Sequence, residues 1–209
     1  MTERIKLILA SASPRRHELL LAAGLPHEVK VSGTDENVTT KPKDNVPYAV
    51  HYAAEASRIK GMAVASELEV TEGVRTFVIS ADTVVSSDMN EVLGKPRDRA
   101  DALRMIRSLS GGTHYVIGGL TVTELHGKSV TEAVVTEVHF AELTEGEIEA
   151  YISTAEPYDK AGAYGIQGIA SLFAEKISGD YANVVGISVA QLRKILTTEF
   201  KLLPEDLIR

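Results

Sequence analysis

Cysteine is absent from the 209-residue sequence, and positive charge is scarce. Without cysteine the chain has no disulfide framework, no thiol nucleophile and no cysteine-ligated metal. The 22 lysines and arginines are outnumbered by 29 acidic residues, which gives a net charge of −7. This balance argues against a general affinity for nucleic acid, because phosphate backbones are bound by clustered positive charge. It leaves room for a local basic pocket.

Long apolar runs and a secretory leader are also missing. No run approaches the roughly 20 apolar residues that cross a membrane. Residues 1–4 lack the basic flank and the apolar region of a signal peptide. The hydrophobic content of 44% and charged content of 24% are typical of a soluble globular protein. We therefore expect a cytoplasmic enzyme or binding protein with no membrane partner.

Common nucleotide- and metal-binding motifs do not occur. The sequence has no GxxxxGK[ST], which excludes a P-loop protein, and no GxGxxG after a strand, so a dinucleotide-binding fold is unsupported. The six histidines show no HExxH and no paired ligand spacing, and structural or surface roles suit them better.

Strands and helices alternate along the chain. The predicted elements are, in order, a strand at 5–10, a helix ending near Gly24, a short strand at 27–32, a helix at 47–67, a strand at 76–81, a helix capped by Asp98, an antiparallel pair at 113–125 and 129–143, a helix after the capping box Thr144–Glu147, a strand at 170–177 and a helix at 188–200. This order predicts a mixed α/β fold with a cleft between two lobes. We expect residues 1–209 to form one domain without a separable linker.

The segment from Ser11 to Arg16 follows an apolar strand and opens a helix. Ser13 is placed to cap that helix, and Pro14 takes the first helical position. Arg15 and Arg16 then lie in the first turn, where the helix dipole disfavours positive charge. Both arginines could be solvated surface residues. We favour an anion site, because backbone N–H groups, a serine hydroxyl and two guanidiniums would converge on one place.

Two carboxylates and a lysine in separate loops add to this site. Asp82, before a threonine at the end of an apolar strand, could hold a hard divalent cation, or it could be an ordinary turn residue. Glu36 could supply a second carboxylate or belong to a solvated acidic turn. Lys95, between glycine and proline, could neutralise phosphate charge or lie on the surface. Together these residues describe metal-assisted attack of water on a phosphoanhydride.

With these residues identified, the chain resembles the Maf family of nucleotide pyrophosphatases, the septum-formation Maf-like proteins, over nearly its whole length. The matching pieces, in order, are LILASASPRR, TDEN, SADTVV, LGKPRD, SLSGGTH, EPYDKAGAYGIQG and ISGDYANVVGIS. The resemblance implies a two-lobed mixed-sheet fold similar to the inosine triphosphate pyrophosphatases, with the site in the cleft between the lobes. It also implies hydrolysis of a nucleoside triphosphate between the α and β phosphates with a divalent cation, Mg²⁺ or Mn²⁺, and a homodimer.

The resemblance also implies residue roles. The phosphate-binding residues would be Ser11, Ser13, Arg15, Arg16 and Lys95. Glu36 and Asp82 would hold the metal, and Asp82 is also a candidate to activate water. Thr83 and Gln167 would recognise the pyrimidine and indicate the branch that prefers dTTP and UTP. Lys160 and Tyr164 are weaker candidates for substrate contact.

The long helix departs from the family pattern. Its expected apolar face consists of Tyr48, Tyr52, Ala56, Ile59 and Ala63. The family usually has a functional lysine about eight residues after the tyrosine matched by Tyr48, and that count reaches Ala56. Lys60 lies one turn further along the same face. Either Lys60 serves or the role is missing, and we predict Lys60, which completes a catalytic set with Asp82, Lys95 and Glu36.

A second hypothesis belongs to a different class. The family is also associated with inhibition of septum formation, so the chain could be a nucleotide-binding regulator of cell division that acts without turnover.

Overall fold

The computed structural model describes residues 4–31, 33, 38–202 and 204–207. Its strands form one six-stranded sheet in the order β2-β1-β3-β4-β5-β6. Their bounds are Arg4–Leu9 (β1), Glu28–Val29 (β2), Val74–Ser86 (β3), Thr113–Glu124 (β4), Ser129–Phe140 (β5) and Ala174–Ser178 (β6). β1 runs parallel to β2 and β3, and the remaining pairs are antiparallel. The predicted mixed α/β class is confirmed.

Helices connect the strands and cover the sheet. They are Pro14–Ala22 (α1), Tyr48–Ser66 (α2), Arg99–Leu109 (α3), Glu145–Ile152 (α4), Tyr181–Val185 (α5), Val189–Lys194 (α6) and Pro204–Leu207 (α7). Three 3-10 turns occupy Glu156–Asp159, Ala161–Ala163 and Ile169–Leu172, and a π-helical turn, Ile195–Glu199, continues α6. In the ranges that the structure describes, every helix is too short or too polar to cross a membrane.

The predicted helix starts are largely confirmed. Asp98 accepts a hydrogen bond from the Asp101 amide and caps α3. Thr144 and Glu147 form the complete capping box of α4. Ser13 stands at the start of α1, but its side chain makes no capping hydrogen bond, so that part of the prediction is wrong. The Ser13 amide instead donates to the Ser11 hydroxyl at 3.2 Å.

β3 is longer than the sequence predicts. We expected it to end before Asp82, but it continues to Ser86 because β4 pairs with it from Phe77 to Ser86. Its parallel pairing with β1 stops at Ile79. Beyond that point, among the described residues, the β1 side of β3 is paired only at Val85, which forms an isolated bridge with Leu93. Asp82 and Thr83 therefore lie on an open strand edge within a strand, not in a turn after one.

The buried face of α2 also differs from the predicted one. Its buried residues are Ala49, Ala53, Ala56, Ser57, Gly61 and Val64, whereas Tyr48 is exposed. Small side chains allow the helix axis to approach the sheet closely. A Cβ atom on Gly119 of β4 would lie 1.9 Å from the Ala53 carbonyl oxygen. Close approach, rather than an aromatic stripe, decides which face of α2 is buried.

Two large apolar clusters pack on the face of the sheet that lies opposite α2. One contains Phe77, Leu120 and Phe200, and the other contains Phe140 and Tyr151. The second half of the chain is more broken than predicted. β6 covers only the end of the strand expected at 170–177, α5 was not predicted, and the closing helix changes to a π-helical turn after α6.

Candidate active site

A cleft of about 790 Å³ opens beside the exposed edge of β3. It is lined by segments from both halves of the chain: the β1–α1 turn, α2, β3, the 94–95 loop, the 156–168 segment and residues 184–186. The predicted site residues that line it are Ser11, Ser13, Arg15, Arg16, Lys60, Asp82, Thr83, Lys95, Lys160 and Gln167. Glu36, the other predicted site residue, lies outside the described residues.

Asp82 and Lys60 form an ion pair inside this cleft. Asp82 pairs with Gly119 across the antiparallel ladder, so its side chain points to the face of the sheet that α2 covers. Lys60 of α2 donates from Nζ to Asp82 Oδ1 at 2.6 Å, and each side chain is only 16% exposed. Ala56, reached by ungapped counting, is buried under the helix. The structure thus places Lys60, and not residue 56, against the central carboxylate.

Thr83 points to the opposite face, where it meets Arg16. Arg16 donates from Nη2 to Thr83 Oγ1 at 3.2 Å, from Nη1 to Ser11 Oγ at 3.0 Å and from Nε to the Gly186 carbonyl oxygen at 2.9 Å. Thr83 also donates to the Gly186 carbonyl at 3.3 Å. Arg16 therefore joins three chain segments, and these contacts offset its unfavourable position at the start of α1.

Gly186 is a site residue for which the sequence reasoning assigned no role. It ends α5 with a φ of +151°, a conformation that favours glycine. The helix that it ends is fixed at its start by Asp180, whose carboxylate accepts from the amides of Ala182 and Asn183. The sequence does contain a signal for this helix, because Asp180 and Gly186 have the spacing of an N-cap residue and a C-terminal glycine. What the sequence did not show is that Arg16 uses the Gly186 carbonyl.

Asn183 anchors this support to the sheet. Its side-chain Nδ2 donates to the carbonyl oxygens of Val116 and Val134 at 3.1 Å each and contacts Thr136 Oγ1 at 3.2 Å. A Cβ on Gly118 would lie 1.9 Å from Asn183 Oδ1, so a glycine is required opposite Thr83. Asn183 therefore fixes α5, and with it the Gly186 carbonyl that Arg16 and Thr83 share, to β4 and β5.

Lys160 is held by its own segment. Its Nζ donates to Asp159 Oδ1 at 2.6 Å and to the Glu156 carbonyl oxygen at 2.9 Å. The hydrogen bond from Lys160 and the nearby charge of Arg15 lower the pKa of Asp159. Gln167, by contrast, is exposed in the cleft. Lys160 has a structural role in addition to any contact with substrate.

Tyr164 is part of the core beneath the cleft. It is 5% exposed, and its hydroxyl lies 2.8 Å from His114 Nε2. Burial raises the pKa of Tyr164 and lowers the pKa of His114 to about 4. Both groups are therefore neutral near pH 7. His114, at 1% exposure, has the structural role that its spacing suggested.

Lys95 lies exposed on the loop after Leu93. The Gly162 amide donates to the carbonyl oxygens of Leu93 and Gly94, both at 3.0 Å, and so ties this loop to the 161–163 turn. The position of Lys95 is consequently coupled to the segment that carries Gln167.

Metal ligands are few in the described residues. No group of three or more histidine, aspartate or glutamate side chains that could hold a metal ion occurs there. Asp82 uses Oδ1 for Lys60, so a cation would use Oδ2. One or two carboxylates are enough for Mg²⁺ when phosphate oxygens and waters supply the other ligands. The donor set suits a cation that takes most of its ligands from water or from a bound anion.

Comparison with known proteins shows the family to which the chain belongs. The family model for Maf-like proteins matches residues 6–199. The chain is 44% identical over 196 residues to a dTTP/UTP pyrophosphatase from Alkaliphilus oremlandii, covering 93% of this chain and 96% of that protein. It is also 44% identical over 188 residues to a dTTP/UTP pyrophosphatase from Bacillus cytotoxicus, covering 90% of this chain and 92% of the relative.

Solved structures share the fold at low sequence identity. The Ham1 protein of Staphylococcus aureus superimposes with a TM-score of 0.50 at 12% identity, over 93% of this chain and 99% of that one. A HAM1 protein from Coxiella burnetii gives a TM-score of 0.51 at 13% identity, over 92% and 98% of the two chains. This likeness confirms the predicted fold, which is that of the Ham1/ITPase-like proteins.

Proposed function

The chain belongs to the Maf-like protein family, and from that premise we propose that it hydrolyses dTTP and UTP to the monophosphate and pyrophosphate. The observation that carries the proposal is the cleft itself. It combines Arg15 and Arg16 at the start of a helix with the Asp82–Lys60 pair on the edge of β3. Relatives that are 42–44% identical over most of their length bear the name dTTP/UTP pyrophosphatase.

The triphosphate would bind along the β1–α1 turn. The first amides of a helix have no partner within it, and the helix dipole favours negative charge there. Arg15, Arg16 and Lys95 add positive charge around the same cleft. Because Arg16 is fixed by Ser11, Thr83 and Gly186, its guanidinium needs little reorganisation when phosphate arrives.

In this proposal Asp82 is the base that activates water. A water molecule would attack the α-phosphorus while Asp82 accepts its proton, and the bond from that phosphorus to the oxygen bridging to the β-phosphorus would break to release pyrophosphate. Lys60 orients Asp82 through the contact at Oδ1. A divalent cation held by Asp82, and by Glu36 outside the described residues, would neutralise phosphate charge and template the phosphate groups.

Gln167 is the side chain best suited to the base. It is exposed in the cleft, and its amide has no hydrogen-bond partner in the described part of the chain. An amide offers both a donor and an acceptor, which match the edge of uracil or thymine. Thr83 already shares its hydroxyl with Arg16 and Gly186, so we propose that it contributes to base recognition chiefly by fixing its neighbours.

Pyrophosphate release tests the proposal. The purified chain is incubated with dTTP, UTP, CTP, ATP and 7-methyl-GTP in the presence of Mg²⁺ or Mn²⁺. We expect turnover of dTTP and UTP well above that of the other nucleotides, and no turnover after chelation of the metal. Absence of activity on both pyrimidine substrates with both cations would contradict the proposal.

A nucleotide-binding regulator that acts without turnover is not favoured, because the relatives' names describe a pyrophosphatase. A cytoplasmic location and a homodimer remain proposals that rest on the sequence and on the family resemblance. Light scattering of the purified chain measures the oligomeric state, and a monomeric mass at micromolar concentration would contradict the dimer.

A further inference from the structure

The cleft contains a carboxylate that the proposed mechanism does not use. Glu156 lines the cleft, yet its two oxygens accept hydrogen bonds from the chain. Oε2 accepts from the Ile169 amide at 2.7 Å, and Oε1 accepts from the Ala170 amide at 3.2 Å. These amides open the 3-10 turn at 169–172, whose first N–H groups lack partners within the turn. Glu156 therefore caps that turn from 13 residues away.

The loop before this turn lies directly on the segment that begins with Glu156. A Cβ on Gly168 would lie 2.3 Å from Glu156 Oε1, and a Cβ on Gly165 would lie 2.7 Å from Lys160 Cε. Only glycine allows both contacts without displacing their partners. Gln167 stands between these two fixed points. Its backbone position is consequently set by Glu156 on one side and by Lys160 on the other.

A buried phenol completes the surroundings of Glu156. The Tyr151 hydroxyl lies 3.3 Å from Glu156 Oε1 and 3.1 Å from the Ala163 carbonyl oxygen. Burial, with the charge of Glu156 next in size, raises the pKa of Tyr151, so the hydroxyl stays protonated and can donate. Hydrogen bonds to a charged acceptor are about twice as strong as those between neutral groups. Glu156 thus accepts hydrogen bonds from the protein on both oxygens. This suits a structural carboxylate better than a general base, which needs an oxygen that can accept a proton from water.

We propose that Glu156 is a positioning residue that holds Gln167 in place and thereby sets the base selectivity of the cleft. This inference rests on the proposed function, and it adds a residue that acts through Gln167 without touching the reacting atoms. The contacts of Glu156 lead to the loop that carries Gln167, whereas Arg15 and Arg16 lie on the β1–α1 turn. We therefore expect Glu156 to affect base selectivity far more than phosphate binding.

The first test is Glu156→Gln, which keeps the size of the side chain but sets an NH₂ group against one of the two amides. We expect the ratio of kcat/KM for UTP to that for CTP to fall about tenfold, the equivalent of one hydrogen bond, chiefly through a higher KM for UTP. Inhibition by tripolyphosphate, which carries no base, should be unchanged. The control Glu175→Gln removes an exposed carboxylate on β6 and should alter neither quantity.

A double variant separates positioning from general loosening. If Glu156 acts through Gln167, Glu156→Gln combined with Gln167→Ala should discriminate between UTP and CTP no worse than Gln167→Ala alone. Additive losses in the ratio would contradict the inference. If Glu156→Gln does not fold, Glu156→Asp keeps the charge on a shorter side chain and should give a smaller loss in the same ratio.

Hydrogen exchange provides a readout that does not depend on activity. In Glu156→Gln the amides of Ile169 and Ala170 should exchange about tenfold faster, because each loses part of its acceptor. Unchanged exchange at both amides would overturn the inference. Failure of the unaltered chain to hydrolyse UTP would overturn the proposed function and the selectivity claim together. An active chain whose UTP-to-CTP ratio survives Glu156→Gln would overturn only the role of Glu156.

Discussion

At the scale of single residues, the Lys60–Asp82 contact carries the most mechanistic weight. The two side chains meet at 2.6 Å on a partly buried strand edge. A lysine in this position orients the carboxylate, and under the proposed mechanism it would also place positive charge beside the reacting phosphate. Removal of either partner should therefore affect turnover more than nucleotide binding.

Lys60→Met tests this role. Methionine keeps the length and the apolar stem of lysine but removes the charge. We expect kcat for dTTP to fall about 100-fold, as it does when one stabilising donor is removed from an active site, with a smaller change in KM. Steady-state pyrophosphate release measures both constants. Arg58→Met is the matched control, because Arg58 lies on the same helix and pairs with Glu55 away from the cleft; equal losses in the two variants would contradict the assignment.

His114 provides a residue-scale prediction about pH. Burial lowers its pKa from 6.5 to about 4. Between these pH values His114 is protonated in the unfolded chain but stays neutral in the folded chain. The group therefore costs stability as the pH falls through this window, by about 3 kcal/mol once both states are protonated. His114→Gln should remove this dependence. Denaturant unfolding at pH 7, 5.5 and 4 measures the free energy of unfolding. The unaltered chain should lose more of this free energy than His114→Gln as the pH falls.

A histidine on the surface supplies the control for that series. His126 lies exposed in the β4–β5 turn at a φ of 58°, a conformation that asparagine tolerates. His126→Asn shows what replacement of an exposed histidine does in the same series. The same slope in the unaltered chain and in His114→Gln would contradict the buried, neutral state of His114.

At the scale of elements, the approach of α2 to β4 decides where Lys60 stands. Gly119 faces the Ala53 carbonyl oxygen, and Gly61 faces Ser80, where a Cβ would lie 2.5 Å from the hydroxyl oxygen. Ser80 in turn donates to the Ser57 carbonyl oxygen at 2.7 Å. These contacts hold the helix close to the sheet, so that a lysine on it can reach Asp82.

Gly119→Ala should push α2 away from the sheet. The new methyl group would meet backbone atoms, which cannot rotate aside, and overpacking of this kind costs about 1–3 kcal/mol. Urea unfolding measures the loss, and kcat should fall along with stability because Lys60 moves with its helix. Gly146→Ala, in the first turn of α4 with no neighbour closer than 4.0 Å, should be neutral or stabilising. Equal stability of the two variants would contradict the close packing of α2.

At the scale of the whole molecule, Arg16 holds together three elements that line the cleft. It connects the β1–α1 turn to β3 and to the end of α5. The three contacts come from three separate nitrogens of the planar guanidinium. A lysine ammonium has the same charge but only one nitrogen, so it cannot reach all three acceptors. Its loss should therefore weaken phosphate binding whatever the base.

Arg16→Lys is the corresponding test. We expect KM for dTTP, UTP and CTP, and the inhibition constant of tripolyphosphate, to rise together by about tenfold, which corresponds to roughly 1.4 kcal/mol. Arg107→Lys, a change in an exposed ion pair with Glu145 on the far helices, serves as the control. A selective loss of one base with unaltered tripolyphosphate inhibition would contradict the assignment of Arg16 to phosphate.

The sequence by itself determined the local features of this protein. Features that depend on neighbouring residues are confirmed. They are the helix caps at Asp98 and Thr144 and the antiparallel pair of β4 and β5. The family followed from the ordered motifs. The candidate site residues could also be identified from the sequence, because phosphate and metal binding need charged and hydroxyl side chains on loops and at helix starts. Their roles stay predictions.

Only the tertiary structure decided how those residues meet. Asp82 lies within β3 rather than after it because β4 extends the strand past the end of β1. Lys60 reaches Asp82 because glycine and alanine let α2 approach the sheet, and Gly186 supports Arg16 because Asn183 fixes α5 to β4 and β5. These contacts join residues far apart in the chain. Their geometry follows from the packing of the whole chain, which no local pattern of residues encodes.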